Sequence, residues 1–213
     1  MSTTTGEPDD APAEPPRTLE HRLNRIEARA DIAALVSRYA RAADARDIET
    51  LVGLYADDVD CGSFGRGSGA LRTQFTTMLR SFYRSVHFVC GQAVDDLTDD
   101  SATGTTYCLA FQQMQSGWIS VAVRYSDRFA KQGGSWRFVR RVPRVWYVAP
   151  AHDGQADPDE LWPGIPFRQS LPDTLPTWTA FWAEAGPSAG LWAEVYGVTQ
   201  KLPQDPAPAR KPQ

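Results

Sequence analysis

Apolar residues recur every three or four positions from Leu19 through Leu23, Ile26, Ile32, Leu35, Val36 and Tyr39. That spacing marks one face of a helix and predicts a long amphipathic helix from about residue 18 to the low 40s. Asp47 stands where an N-cap belongs, ahead of Ile48, Leu51, Leu54 and Tyr55, and predicts a short second helix. A short strand is expected near Val59–Phe64. The glycines Gly62, Gly65, Gly67 and Gly69 then lead into a third helix with Leu71, Phe75, Met78, Leu79 and Phe82 on one face. Beyond it the period falls toward two: Val86–Gly91, Ser101–Gln113, Trp118–Phe129 and Trp136–Val148 read as four strands, with Asp-Asp, Gln-Ser-Gly and Gln-Gly-Gly at the turns. Helices followed by an antiparallel meander predict an α+β fold, with the helices on one face of a curved sheet.

Proline divides the chain. Four of the 16 prolines lie between Pro8 and Pro16, none falls from Arg17 to Val142, and twelve run from Pro143 to Pro212. Residues 1–16 contain no aromatic side chain and cannot bury enough apolar area to offset chain entropy, so a disordered tail is expected there. Residues 17–150 make one domain. From 151 to 202 the prolines stand among aromatics, including Trp162, Trp178, Phe181, Trp182 and Trp192; these call for an ordered extension that covers the pocket or a subunit interface. Residues 203–213 read as a second disordered tail. The 213 residues therefore make one domain and a covering rather than two domains.

Charge narrows the function classes. With 22 Lys+Arg against 26 Asp+Glu the net charge is −4, so no basic surface stands ready for a phosphate backbone and no nucleic-acid partner is expected. The apolar runs fall far below the ~18 residues of a membrane span. The opening MSTTTGEPDD lacks a basic n-region and an apolar core, and Cys61, Cys90 and Cys108 are odd in number and widely spaced. A soluble cytoplasmic protein is expected. Gly65-Arg66-Gly67-Ser68-Gly69-Ala70 fits a dinucleotide fingerprint, but strands alone follow its helix where a Rossmann unit alternates the two. Gly186-Pro187-Ser188-Ala189-Gly190 has the form of a nucleophile elbow, yet the last histidine, His152, precedes the serine. His21, His87 and His152 share no ligand spacing, so neither a metal nor any other cofactor is expected.

What remains is a histidine in an apolar strand. In Val86-His87-Phe88-Val89-Cys90, alternation sets His87 with Val89 on one face and Val86, Phe88 and Cys90 on the other, which turns the imidazole toward an interior. Asp44 lies near the end of the first helix, where a negative charge opposes the helix dipole. Tyr39 lies on the apolar stripe. Five helical residues turn the direction by about 140°, so Tyr39 and Asp44 share a site only if the helix bends or ends between them.

RADIAALVSRYARAADARDIETLVGLYADDVD, SVHFVCG and DRFAKQGGSWRFVRRVPRVWYV together resemble the SnoaL-like branch of the nuclear transport factor 2 superfamily, over roughly residues 19–148. Scytalone dehydratase, bile acid 7α-dehydratase, a hexachlorocyclohexane dehydrochlorinase, ketosteroid isomerase and small polyketide cyclases are relatives. The resemblance implies an α+β cone, three N-terminal helices closing a strongly curved antiparallel sheet around an apolar pocket, assembled as a homodimer or homotrimer. It also implies that Asp44 orients a catalytic His87, that Tyr39 joins them, and that Arg144 on the last strand binds substrate; Tyr55, Phe88 and Tyr125 complete the candidate substrate-binding set. The sequence departs from the relatives at Ala43 and Cys61, where scytalone dehydratase has tyrosines, and at Ala110, where the bile acid enzyme has an acid.

A carboxylate that accepts the proton of one imidazole nitrogen leaves the other free as a base. The expectation is a cofactor-independent lyase of the dehydratase type, acting on a small hydrophobic or aromatic, polycyclic or polyketide-like carbonyl compound. A polyketide cyclase or ketosteroid-type isomerase is one alternative, a non-catalytic ligand-binding or scaffold domain the other. The enzyme reading expects His87 within hydrogen-bonding reach of Asp44 and facing a cavity of roughly 300–1,000 Å³.

Overall fold

The computed structural model describes residues 18–114, 117–151, 172 and 174–184. Helix α1 (Leu19–Asp44) opens where the Thr18 side chain accepts the His21 N–H and runs the length that the apolar spacing predicts. Its second half buries Ile32, Leu35, Val36 and Tyr39, whereas Leu19, Leu23 and Ile26 in the first half are exposed. The stripe is continuous in sequence, but only its C-terminal part meets the core. Helix α2 (Ile48–Gly53) starts from Asp47, whose carboxylate accepts the Thr50 N–H at 3.0 Å.

Residues 59–64 do not form the expected strand. Gly62, Gly65 and Gly67 have φ of 61°, 101° and 83°, a region where a side chain is strained, and the chain closes a single 3-10 turn over Gly62–Phe64. Asp60 holds that turn by accepting the Gly62 N–H at 2.9 Å. Helix α3 (Gly67–Leu79) then buries Leu71, Phe75 and Leu79.

Strands β1 (Arg84–Asp95), β2 (Ser101–Met114), β3 (Gly117–Gln132) and β4 (Ser135–Pro150) form one antiparallel sheet in chain order. Each outruns its apolar pattern, because main-chain ladders continue where one face is already in water. Register shifts at Cys90 in β1 and at Val139 and Trp146 in β4 bend the sheet, as extra residues in one strand of a pair do. The helices close its concave side. Ile32, Leu51, Leu79 and Phe138 are fully buried where the layers meet, and the chain after α2 pairs with β4 through Ala56 N–H to Phe138 O and Phe138 N–H to Leu54 O, both 2.9 Å.

Part of the Pro/Trp-rich extension is helix α4 (Pro176–Ala183), which packs on its own chain. The Thr177 hydroxyl donates to Ala45 O at 2.9 Å, Trp178 meets Tyr83 edge-on at 5.0 Å, and the Arg80 guanidinium lies 4.8 Å from the Phe181 ring. Trp162, Trp192 and the tails expected at 1–16 and 203–213 lie outside the described residues.

The link from α1 to α2 turns on Arg46. The N–H of Asp47 bonds to Ala42 O at 2.9 Å and that of Arg46 to Ala43 O at 3.2 Å, a helix ending that places the intervening residue in the left-handed region, usually as glycine. Here that residue is Arg46, with φ 57°. Its side chain is 1% exposed and donates to Ala43 O, Phe82 O, Tyr83 O and Ser85 Oγ; burial pulls its pKa down to about 10. Arg46→Gly relieves about 1 kcal/mol of backbone strain but strips hydrogen bonds to a charged group worth about 1.5–3 kcal/mol apiece. The four bonds share one guanidinium and do not add independently, so the expected result is a net loss of about 3–5 kcal/mol in denaturant unfolding; a variant as stable as the parent would mean that the helix ending, not the guanidinium, governs the link.

Candidate active site

Asp44 and His87 meet where the end of α1 faces the concave side of β1. His87 Nδ1 lies 2.6 Å from Asp44 Oδ1, the His87 backbone N–H donates to Asp44 Oδ2 at 2.9 Å, and the Ser85 hydroxyl donates to Asp44 Oδ1 at 2.9 Å. The side chains are 9% exposed for His87 and 23% for Asp44. Strand alternation brings Ser85 and His87 to the same face, and α1 ends at the one residue able to reach both. No described residue hydrogen-bonds His87 Nε2. Ala110 stands directly across from His87 in the β1–β2 pairing, so the neighbouring strand supplies no second acid there.

A second cluster lies on the same concave face. Arg141 Nε is 3.3 Å from Asp127 Oδ1, with side-chain exposures of 3% and 0%, and the Thr106 hydroxyl donates to Asp127 Oδ2 at 2.9 Å. Burial raises the Asp127 carboxyl while Arg141 and the Thr106 hydrogen bond oppose it. The guanidinium carbon lies 4.0 Å from the Tyr125 ring centre, 4.3 Å from that of Tyr39 and 4.7 Å from that of Phe138, distances at which a cation is held by ring faces. Arg141 Nη1 is buried with no hydrogen-bond partner among the described residues. Burial raises the pKa of the Tyr39, Tyr55 and Tyr125 hydroxyls, so all three remain protonated donors.

The structure therefore brings Asp44 and His87 into direct contact and sets Tyr39 and Tyr125 around Arg141. Asp44 acts on Tyr39 only through its field; the helix runs unbroken between them, and no hydrogen bond joins them. Tyr55 is buried at the closed end, its ring 5.6 Å from Phe75 and 5.1 Å from Phe138. Two candidates lie elsewhere. Phe88 is on the outer face, 53% exposed and edge-on to Phe111 at 6.2 Å, as the alternation that turns His87 inward requires. Arg144 is exposed on the outer face opposite Arg124. Counting alternate residues from the buried Phe138 turns Arg144 inward, but the extra residue Val139 reverses the parity and turns Arg141 inward instead, opposite Asp127. The sequence held one sign of this: Asp127 lies between Tyr125 and Phe129 on the inward face, and a buried carboxylate calls for a buried cation. Ser85 and Arg46 left no such sign.

An open groove of about 370 Å³ crosses the four strands, lined by Cys90, Tyr107, Cys108, Leu109, Ala122, Val123, Trp146 and Tyr147; Leu109, Ala122 and Tyr147 pair in register with Phe88, which sets the groove on the outer face. His87 is not among these residues. Cys108 belongs to both surroundings, since its thiol also feels Arg141 and Asp44, and burial pushes its pKa up to about 11. Among the described residues no three His, Cys, Asp or Glu side chains gather to hold a metal ion, and no helix is long and apolar enough to cross a membrane.

Three helices closing a curved four-stranded antiparallel meander define the cone of the nuclear transport factor 2 class. The sequence matches the SnoaL-like domain family over residues 24–142, more than half of the chain, and the protein belongs to that family. Similar solved structures include a scytalone dehydratase candidate from Novosphingobium aromaticivorans, 20% identical with TM-score 0.54, covering 62% of this chain and 92% of that one. A type 3 hexachlorocyclohexane dehydrochlorinase from Novosphingobium barchaimii is 19% identical with TM-score 0.57, covering 64% and 99%; a type 2 enzyme of that name is 21% identical with TM-score 0.57, covering 68% and 99%. At such identities the likeness is one of fold. Comparison with curated proteins gives no match.

Thiol chemistry at the site is checked by alkylation. Iodoacetamide at mildly alkaline pH is expected to label the exposed Cys90 well ahead of Cys108 and Cys61, both buried and both raised by burial. Rapid labelling of Cys108, read by peptide mass spectrometry, would instead reveal a thiolate beside Arg141.

Proposed function

We propose that this protein is a small-molecule enzyme in which His87 is the general base, and that it is a lyase of the dehydratase type acting on a polycyclic or polyketide-like carbonyl compound. The observation that carries this reading is the 2.6 Å contact of Asp44 with His87 Nδ1, on a wall where Nε2 meets no hydrogen-bond partner among the described residues. Nε2 takes a proton from the carbon beside the carbonyl, and the electron pair moves onto the carbonyl oxygen. The Tyr39 hydroxyl or Arg141 Nη1 stabilises that oxyanion. Collapse of the enolate then expels a hydroxyl group from the adjacent carbon, which leaves as water with the proton returned by the imidazolium. The unsaturated carbonyl product and the neutral histidine balance the cycle. The names of the similar structures, a dehydratase and dehydrochlorinases, agree with an elimination; cyclisation or isomerisation would use the same enolate.

A ligand-binding or scaffold module is the second reading. It is favoured by the aromatic rings of Tyr39, Tyr55, Phe75 and Phe138 that fill the closed end of the cone, and by an open groove on the outer face that His87 does not line.

The two readings part in one experiment. Polycyclic ketones are screened for exchange of the proton beside the carbonyl, which reports the base without the true substrate. His87→Ala and Asp44→Ala are each expected to lower the exchange rate about 10²–10⁴-fold while circular dichroism shows the parent's fold; Asp44→Ala is also expected to melt lower, because it leaves the buried Arg46 without its counter-charge. Full exchange in His87→Ala would remove the histidine from the chemistry and leave the second reading.

A further inference from the structure

We infer that Arg46 and Ser85 are positioning residues that, with Asp44 and His87, form a hydrogen-bond chain running in one direction only, and that this chain fixes the proton on His87 Nδ1 and leaves Nε2 as the base. The inference rests on the reading of His87 as a base, but it concerns residues that touch no substrate.

The direction follows from what each group is able to do. A guanidinium only donates. Arg46 Nη1 lies 2.9 Å from Ser85 Oγ, so the Ser85 oxygen accepts there and its single proton points away from Arg46. That proton goes to Asp44 Oδ1 at 2.9 Å. An ionised carboxylate only accepts, so at the 2.6 Å contact His87 Nδ1 is the donor. The second carboxylate oxygen is engaged by the His87 backbone N–H at 2.9 Å. Both oxygens are thus tied to the strand that carries the imidazole, and the carboxylate is unable to rotate away from it.

The chain also has a fixed anchor. Arg46 Nη1 donates to Ala43 O at 2.8 Å, and Nη2 donates to Phe82 O at 3.0 Å and Tyr83 O at 3.1 Å. The guanidinium is stacked 5.0 Å from the Phe82 ring and is shut off from water. Three of its acceptors belong to residues 82–85, which lead into β1, and the fourth belongs to the last turn of α1. Arg46 therefore sets the distance between the helix that supplies Asp44 and the strand that supplies His87. A residue serving only to end α1 has no use for these contacts.

The test reads the imidazole itself and needs no substrate. Protein labelled with nitrogen-15 at histidine is expected to show a downfield His87 Nδ1 proton protected from exchange with water, as a short charge-assisted hydrogen bond gives. Ser85→Ala, a small change at a buried strand position, is expected to move that resonance upfield and to speed its exchange at least about tenfold. Ser85→Thr restores the hydroxyl and is expected to restore the signal. With 2-tetralone as probe, Ser85→Ala is expected to lower kcat for exchange of the proton beside the carbonyl about tenfold at unchanged KM, and Ser85→Thr to recover it. A resonance missing from the parent protein, or equally downfield and equally protected in Ser85→Ala, overturns the inference whatever the rate does. If instead the signal responds as expected while His87→Ala keeps full exchange of the probe, the chain stands and the proposed function falls, so the two fail separately.

Discussion

A carboxylate at the last residue of a 26-residue helix sits at the negative end of the helix dipole, where it gains nothing and repels the free carbonyls around it. Asp44 is held there by three donors from β1, and the positive charge of Arg46 lies one hydroxyl away. The helix ending, the left-handed Arg46, the entry into β1 and the orientation of His87 are therefore one arrangement. Each part carries a local cost that the others offset: a non-glycine residue at positive φ, a buried cation, and a carboxylate against the dipole. Removing any one leaves the rest with an unpaired charge or an unpaired carbonyl, and both are expensive in a dry interior.

The concave wall repeats that logic a few residues away. Asp127 and Arg141 are almost wholly removed from water, and the rings of Tyr39, Tyr125 and Phe138 surround the guanidinium. A buried ion pair of this kind contributes little net stability compared with well-packed apolar residues. Its bonding is also incomplete, since Arg141 Nη1 has a donor to spare among the described residues. An unfilled donor inside an aromatic box suits a ligand oxygen better than it suits a core, and this separates the cluster from simple packing.

The α+β order, α1, the Asp47 cap and four strands were legible because each rests on a local rule: spacing of apolar residues, one capping side chain, alternation. The inward turn of His87 was legible for the same reason. What failed were features that depend on a single inserted residue or on distant partners. The strand expected at Val59–Phe64 gave way to three glycines at positive φ, and Arg144 gave way to Arg141 because Val139 breaks the alternation of β4. No local pattern marks a bulge. Arg46 was hidden differently: three of its four acceptors lie more than thirty residues away in sequence, and at a position that favours glycine nothing nearby announces a buried arginine. Phe88 shows the opposite case, since the alternation that turns His87 inward already turns Phe88 out.

Ala110 bears on the chemistry that such a site is able to perform. It lies directly opposite His87, so no acid on the neighbouring strand is placed to protonate a leaving group, and the Asp44 carboxylate is fully engaged as an acceptor. On the proposed reading, the proton that reaches the departing hydroxyl is the one that Nε2 has just removed. One nitrogen serves both transfers only if the proton and the leaving group lie on the same face of the substrate, within reach of a ring that Asp44 and its anchors keep from turning. A base with a separate acid across the pocket would favour departure from opposite faces. On that reading, the alanine opposite His87 and the tight fixing of the imidazole favour the same course, an elimination in which a single, immobile histidine handles both ends of the proton transfer.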